Sequence, residues 1–178
     1  MSTLAATRIL PRSRLISVLL VIAFATLTAV LAQVRVPLWF TPVPFTGQTF
    51  AVLASGLVLG WSRGAASQML YVAAGAVGLP VFQGANGGWS YVTGPTLGYL
   101  VGFVAAALVA GLVARSVRFR GAGLVGAIAG TIVVYLFGVA WLTHAQGIGL
   151  REALTLGVVP FLVGDTIKAV LAGLLPVR

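Results

Sequence analysis

The chain has 178 residues, of which 60% are hydrophobic and 7% charged, with 11 basic side chains against two acidic ones. Ordinary soluble domains carry about 25% charged residues, so this composition excludes a water-soluble globular fold, and its hydrophobicity excludes a disordered chain. The basic residues fall between apolar runs, as membrane topology signals do, rather than along a nucleic-acid surface; with no Cys there is no disulfide, thiol nucleophile or thiolate metal site.

A bilayer core of about 30 Å takes about 20 helical residues per crossing. The apolar runs divide into six spans within a single membrane domain, residues 1–178. Span one covers about 15–32. Arg8, Arg12 and Arg14 precede it, as in a secretory signal, but the run exceeds the roughly 7–15 residues of a signal core and no Ala-x-Ala site ends it. An uncleaved span is expected. Ala25 and Ala29 recur at four-residue spacing, a pattern that lets helix backbones approach closely, either inside the bundle or against a partner subunit.

The first outer loop, 33–46, reads QVRVPLWFTPVPFT. Pro37, Pro42 and Pro44 make it a stiff extended segment. Trp39, Phe40 and Phe45 suit either a headgroup-level belt or a lid over a pocket. Spans two and three, about 48–60 and 64–79, are joined by the turn Trp61-Ser62-Arg63-Gly64. Both are short, so tilting or incomplete crossing is expected. The second outer loop, 80–95, reads PVFQGANGGWSYVTGP. It is uncharged and glycine-rich, with Gln83, Asn86, Ser90, Tyr91 and Thr93. Its glycines allow close backbone approach and its side chains supply neutral donors and acceptors, so it suits a pocket for a small polar molecule as well as it suits a plain surface loop.

Spans four, five and six cover about 96–114, 122–142 and 153–175, with a third outer loop at 143–152. The rows Gly56/Gly60, Gly94/Gly98/Gly102 and Gly126/Gly130 point to internal helix packing. His144 reads as an interfacial residue, and Glu152 as a favourable charge at the start of span six. With the N- and C-termini in the cytoplasm, Arg8, Arg12, Arg14, Arg63, Arg115, Arg118, Arg120 and Arg178 lie inside and only Arg35 and Arg151 outside.

Span six holds the only Asp and the only Lys, Asp165 and Lys168. Each costs about 2.5–3.5 kcal/mol at mid-span on insertion scales. Three residues apart, they share one helix face, about 5–6 Å apart at Cβ. Pro160 marks the outer part of this span, so the pair is expected in its outer or middle portion. Ligand contact, a structural ion pair and ion coupling by Asp165 are the three readings, although a carboxylate already paired with lysine makes a poor proton carrier. No phosphate-binding G-x-x-x-x-G-K-[ST] is present, nor H-E-x-x-H, nor G-x-S-x-G. An enzyme is not expected.

Four segments, in order, resemble one family. PVPFTGQTFAVL (42–53) is similar to the P-V-P-F-T-x-Q-T stretch of the BioY proteins, the biotin-binding S subunits of energy-coupling-factor (ECF) transporters. RGAASQMLYVAAGAVGLPVF (63–82) resembles R-G-x-x-S-Q-x-x-Y followed by G-x-x-G-L-P-V-F. GPTLGYLVGF (94–103) resembles G-P-T-G-G-Y-L-x-G-F, with Leu97 in place of the usual Gly, and PFLVGDTIKAVLA (160–172) resembles P-F-x-x-G-D-x-x-K.

The resemblance implies an all-α integral membrane protein with six transmembrane helices in an S-component bundle. It implies high-affinity biotin capture at the outer face, under the first outer loop, and import driven by ATP hydrolysed on other chains. The expected partners are biotin, membrane lipid, a transmembrane T subunit and cytoplasmic ATPase subunits, in a bacterial inner (plasma) membrane. No cofactor of the chain's own is implied. Carried over by motif, the ligand contacts are Asp165, Lys168, Asn86 and Gln48, with Ala25 and Ala29 facing the T subunit; Tyr99 and Thr46 are further residues expected at the ligand site. Biotin has two ureido N–H donors, one carbonyl acceptor and a carboxylate tail, which this inventory can meet. Its apolar parts would pack on Phe45, Trp89 or Tyr99. The alternatives are an S subunit for another vitamin, or a stand-alone secondary transporter coupled through Asp165.

Overall fold

The computed structural model describes residues 12–177, so the expected inner charges Arg8 and Arg178 lie outside the described residues. The helices are α1 (Arg12–Gln33), α2 (Gln48–Leu59), α3 (Trp61–Ala76), α4 (Trp89–Val92), α5 (Leu97–Ser116), α6 (Ala122–Gln146), α7 (Leu150–Gly157) and α8 (Leu162–Gly173). A 3-10 turn, Val159–Phe161, joins the last two. The first outer loop closes on a two-residue antiparallel pair, β1 (Arg35–Val36) and β2 (Phe45–Thr46), so the chain is not purely helical. Three prolines keep the intervening residues out of a helix. The neck of this loop is tied where Gly47 N–H donates to the carbonyls of Leu31 and Val34, at 3.2 and 3.0 Å.

Among the described residues, four helical segments are long and apolar enough to cross a bilayer: Arg14–Gln33, Leu97–Ser116, Ala122–Gln146 and Leu150–Gly173. Spans two and three do not meet that measure. α2 has 12 residues, about 18 Å at 1.5 Å per residue. Ten of those 12 are buried, because α2 runs up the middle of the bundle and touches α1, α3, α5, α6 and α8. Protein rather than lipid surrounds it.

The turn expected at 61–64 is absent. α3 already begins at Trp61, and the reversal is made by Gly60 alone, at φ 84°. That left-handed backbone favours glycine, so Gly60 serves the reversal and not helix packing. Gly94 likewise lies outside a helix, its carbonyl accepting from Trp141 Nε1 at 2.9 Å. The second and third outer loops hold more helix than expected. α4 lies within 80–95, while α6 runs to Gln146 and α7 starts at Leu150.

Span six is a broken helix. Pro160 has no N–H to give the Leu156 carbonyl, and Phe161 N–H bonds back to Val158 instead of Gly157. Two carbonyls are thereby freed within a bilayer-length segment, where an unsatisfied group is costly. Thr41 Oγ donates to Leu156 O at 2.8 Å, and the Tyr99 hydroxyl donates to Gly157 O at 2.8 Å. The break is thus held by the first outer loop on one side and α5 on the other.

A second polar cluster lies between α1, α2 and α3. Gln68, fully buried, has its Nε2 at 3.2 Å from each of the Thr28, Ser55 and Ser67 hydroxyl oxygens, which share its two N–H donors. Each hydroxyl also donates to a carbonyl of its own helix. Gln68→Leu therefore leaves no hydroxyl hydrogen stranded, and its cost should be near the average for an interhelical hydrogen bond, about 0.6–2 kcal/mol. Thermal unfolding in detergent should show a drop of a few degrees and no loss of fold.

Ala25 departs from the docking expectation, while Ala29 remains partly exposed. Ala25 is 7% exposed and sits in the chain's own core, with Ala29 partly buried against it. Ala25, Thr28 and Ala32 form the inward stripe of α1, while Leu15, Leu19, Ile22 and Val30 face outward. The small side chains serve close packing within the bundle.

Candidate functional site

A cavity opens at the end of the bundle where the three outer loops gather. α2 contributes Gln48 and Thr49, and α3 contributes Tyr71. Tyr99, Leu100 and Phe103 come from α5, and Val134 and Tyr135 from α6. Beyond the helix break, Phe161, Asp165 and Lys168 complete the floor. The first outer loop adds Val43, Pro44 and Thr46, and the second adds Phe82, Gln83 and Tyr91.

The Asp165–Lys168 pair is formed: Lys168 Nζ lies 2.7 Å from Asp165 Oδ1, the one ion pair among the described residues. Both side chains are largely buried, 12% exposed for Lys168 and 7% for Asp165. Asp165 accepts two further hydrogen bonds, from Thr49 Oγ at 2.9 Å and from the Tyr135 hydroxyl at 2.7 Å. Lys168 also donates to Thr49 Oγ at 3.2 Å and sits 4.0 Å from the centre of the Phe45 ring. A buried charge needs a partner and satisfied lone pairs, and α2, α6 and the first outer loop supply them. Phe45 is itself stacked on Phe161. The loop carrying it thus caps the pair, while Trp39 is 96% exposed beyond.

Gln48 anchors the opposite polar corner. Its Nε2 donates to the Tyr71 hydroxyl at 2.6 Å, and its Oε1 accepts from Thr46 Oγ at 3.0 Å. An aromatic wall rises beside it. Tyr71 meets Phe82 edge-on at 5.5 Å between ring centres, and Phe82 stacks on Tyr91 at 5.0 Å. Burial raises the Tyr91 phenol above its ordinary pKa, and hydrogen bonds to Gln83 and Thr96 and the Arg35 charge oppose that rise.

Of the residues expected at the site, Asp165, Lys168, Gln48, Thr46 and Tyr99 all border this one cavity. Tyr99 presents its ring, since its hydroxyl is taken by the helix break. Asn86 does not border it: the residue is exposed, and its Nδ2 donates to the Gln83 carbonyl at 2.8 Å. It shapes the loop from which Gln83 reaches the cavity. Trp89 is 70% exposed and not a wall residue, and Leu97 packs against the core.

Thr49, Tyr71 and Tyr135 escaped the sequence reading. Thr49 and Tyr71 stand within the motifs already quoted, T-x-Q-T and S-Q-x-x-Y. Tyr135 carried a weaker signal, a phenol in the middle of an apolar span whose hydroxyl must find a partner. The arrangement is suited to a small molecule with an apolar body and several hydrogen-bonding groups. It offers a carboxylate flanked by donors, an ammonium and an amide around aromatic walls.

A family model described as BioY family matches residues 3–178. A protein of Pyrococcus horikoshii named "Probable biotin transporter BioY" is 42% identical over 159 residues, covering 89% of this chain and 93% of that one. "Biotin transporter BioY" of Thermotoga maritima is 41% identical over 155 residues, covering 87% and 90%. The fold matches a crystal structure described as the S-component for biotin from an ECF-type ABC transporter, with a TM-score of 0.84 and 25% identity over 93% of this chain and 90% of that one.

Proposed function

The chain belongs to the BioY family, and from that premise we propose that it is the biotin-binding S subunit of an ECF-type importer. Its relatives are named as biotin transporters, and the matching solved structure as the S-component for biotin of an ECF-type ABC transporter. The observation that carries the reading is the Asp165–Lys168 pair, held by Thr49 and Tyr135 at the floor of an aromatic cavity. The ureido N–H groups of biotin need acceptors, and its carbonyl needs a donor. Asp165, Lys168, Gln48 and Thr46 provide these within one enclosure, and the Tyr99 ring and aromatic wall bury the apolar body.

In this reading the bundle sits in a bacterial inner membrane as six crossings with both termini cytoplasmic. Arg63, Arg115, Arg118 and Arg120 mark the inner end and the loop-lined cavity faces out. The short α2 crosses inside a protein jacket. Biotin enters from outside under the first outer loop, and a T subunit with ATPase subunits drives its release inward. The chain binds no ATP and no cofactor. Ion coupling through Asp165 is disfavoured because three donors already hold the carboxylate.

Radiolabelled biotin should bind the purified protein saturably at sub-micromolar concentration, without ATP or partner subunits. Absence of binding at micromolar ligand overturns the assignment. Ionophore-sensitive uptake without ATP in liposomes would favour the secondary-transporter reading instead.

A further inference from the structure

We propose that Arg35, which bridges the two loops that line the cavity, recognises the carboxylate of the bound ligand and so sets a preference for the acid over its neutral derivatives. This rests on the biotin reading and adds to it a residue outside the Asp165–Lys168 pair. The charges that line the cavity cancel, since Asp165 and Lys168 are paired at 2.7 Å. A monocarboxylate would bring one uncompensated negative charge into that enclosure, where an unpaired charge is costly. Of all its groups the carboxylate is the most expensive to dehydrate, so it belongs at the wet mouth while the ring goes deeper.

Arg35 is exposed and not itself a lining residue, but it bridges the two loops whose residues line the cavity. Its backbone pairs with Thr46, which lines the cavity. Its Nη1 donates to Gln83 Oε1 at 2.9 Å, and Gln83 lines the cavity from the other side. The guanidinium lies against Gly84, where an added Cβ would come 2.6 Å from Nη1. Its charge is felt at Tyr91, another wall residue. Both acids of the chain are accounted for, Asp165 by Lys168 and Glu152 at the start of α7, and no carboxylate pairs with Arg35 among the described residues. A neutral amide holds the cation in place. The guanidinium has five N–H donors in a fork that fits a carboxylate, and the Gln83 bond uses one.

The test compares biotin with biotinamide, its neutral amide, on the wild-type protein and on Arg35→Gln and Arg35→Lys. The wild type should bind biotin about 10-fold more tightly than biotinamide, the size expected of a charge-assisted hydrogen bond. Arg35→Gln should erase that preference by weakening biotin alone, and Arg35→Lys should keep part of it. Three results overturn the inference while leaving the biotin reading intact: equal affinities on the wild type, an unchanged preference in Arg35→Gln, or an equal loss for both ligands, which would make Arg35 only a clasp between loops. Wild-type protein that binds neither ligand overturns both.

Discussion

Asp165→Asn should weaken biotin binding by at least about 100-fold, which corresponds to about 2.7 kcal/mol. Asparagine keeps the shape of the side chain and replaces one carboxylate oxygen with an N–H donor. Thr49 and Tyr135 would then face a group that no longer accepts at both atoms, and the Lys168 ammonium would lose its counter-charge. Breaking a buried pair from one side typically costs about 3–5 kcal/mol because an uncompensated charge remains. Some of that loss will appear as lower thermal stability, so binding is to be measured on protein that elutes as a single species in detergent. Lys168→Ala should be milder, about 10-fold on ligand affinity, because Asp165 keeps the Thr49 and Tyr135 hydroxyls. Unchanged affinity in both variants would reduce the pair to a structural tie between α2, α6 and α8.

Gly56→Val should be the most damaging substitution away from the cavity. A Cβ at Gly56 would run into the Ala107 carbonyl of α5. Its neighbours are as tight: a Cβ on Gly64 would sit 2.6 Å from Gly56 Cα, and one on Gly111 would sit 2.5 Å from Trp61 N and 2.6 Å from Gly56 O. The backbones of α2, α3 and α5 therefore meet in contact beside the Gly60 reversal. The obstacles are main-chain atoms, which cannot rotate away, so valine must part the helices. A loss on the order of 4 kcal/mol or more is expected, read as a large fall in unfolding temperature or failure to yield monodisperse protein. Leu70→Val, on a 40% exposed side chain of α3, is the control and should change little. A Gly56→Val protein with unaltered unfolding temperature would mean that these helices do not pack as described.

Much of the site was readable before any folding was considered. Asp165 and Lys168 are the only Asp and Lys of the chain, and they stand in a bilayer-length apolar segment. Their pairing follows from three-residue spacing alone. What spacing cannot reveal is who else meets them. Thr49 and Tyr135 lie 116 and 30 residues from Asp165 in sequence, and only the packing of α2 and α6 on α8 brings them to it. The same holds for Tyr99. Its ring is expected as an apolar surface for the ligand and does border the cavity, but that its hydroxyl satisfies the Gly157 carbonyl at the break beside Pro160, 61 residues away in the numbering, is visible only in the fold.

Ala25 and Asn86 show the limit in the other direction. A four-residue row of alanines says that some backbone comes close, and α3 turned out to be as good a neighbour as any partner subunit. An Asn in a glycine-rich loop could point into the cavity or along its own chain. Here it is committed to Gln83, and Gln83 takes the place at the wall.

Composition and order alone therefore determined that this is a membrane protein, the order of its apolar segments, its charge asymmetry and the presence of an intramembrane ion pair. Those properties depend on solvation free energies and helical periodicity, which act locally along the chain. The tertiary structure alone decided that α2 is jacketed by protein, that span six breaks at Pro160, which groups hold Asp165, and that Arg35 reaches Gln83 from the other loop. Each of these requires atoms far apart in sequence to satisfy one another's hydrogen bonds or fill one another's gaps. That demand is set by the whole bundle and cannot be expressed by any one segment.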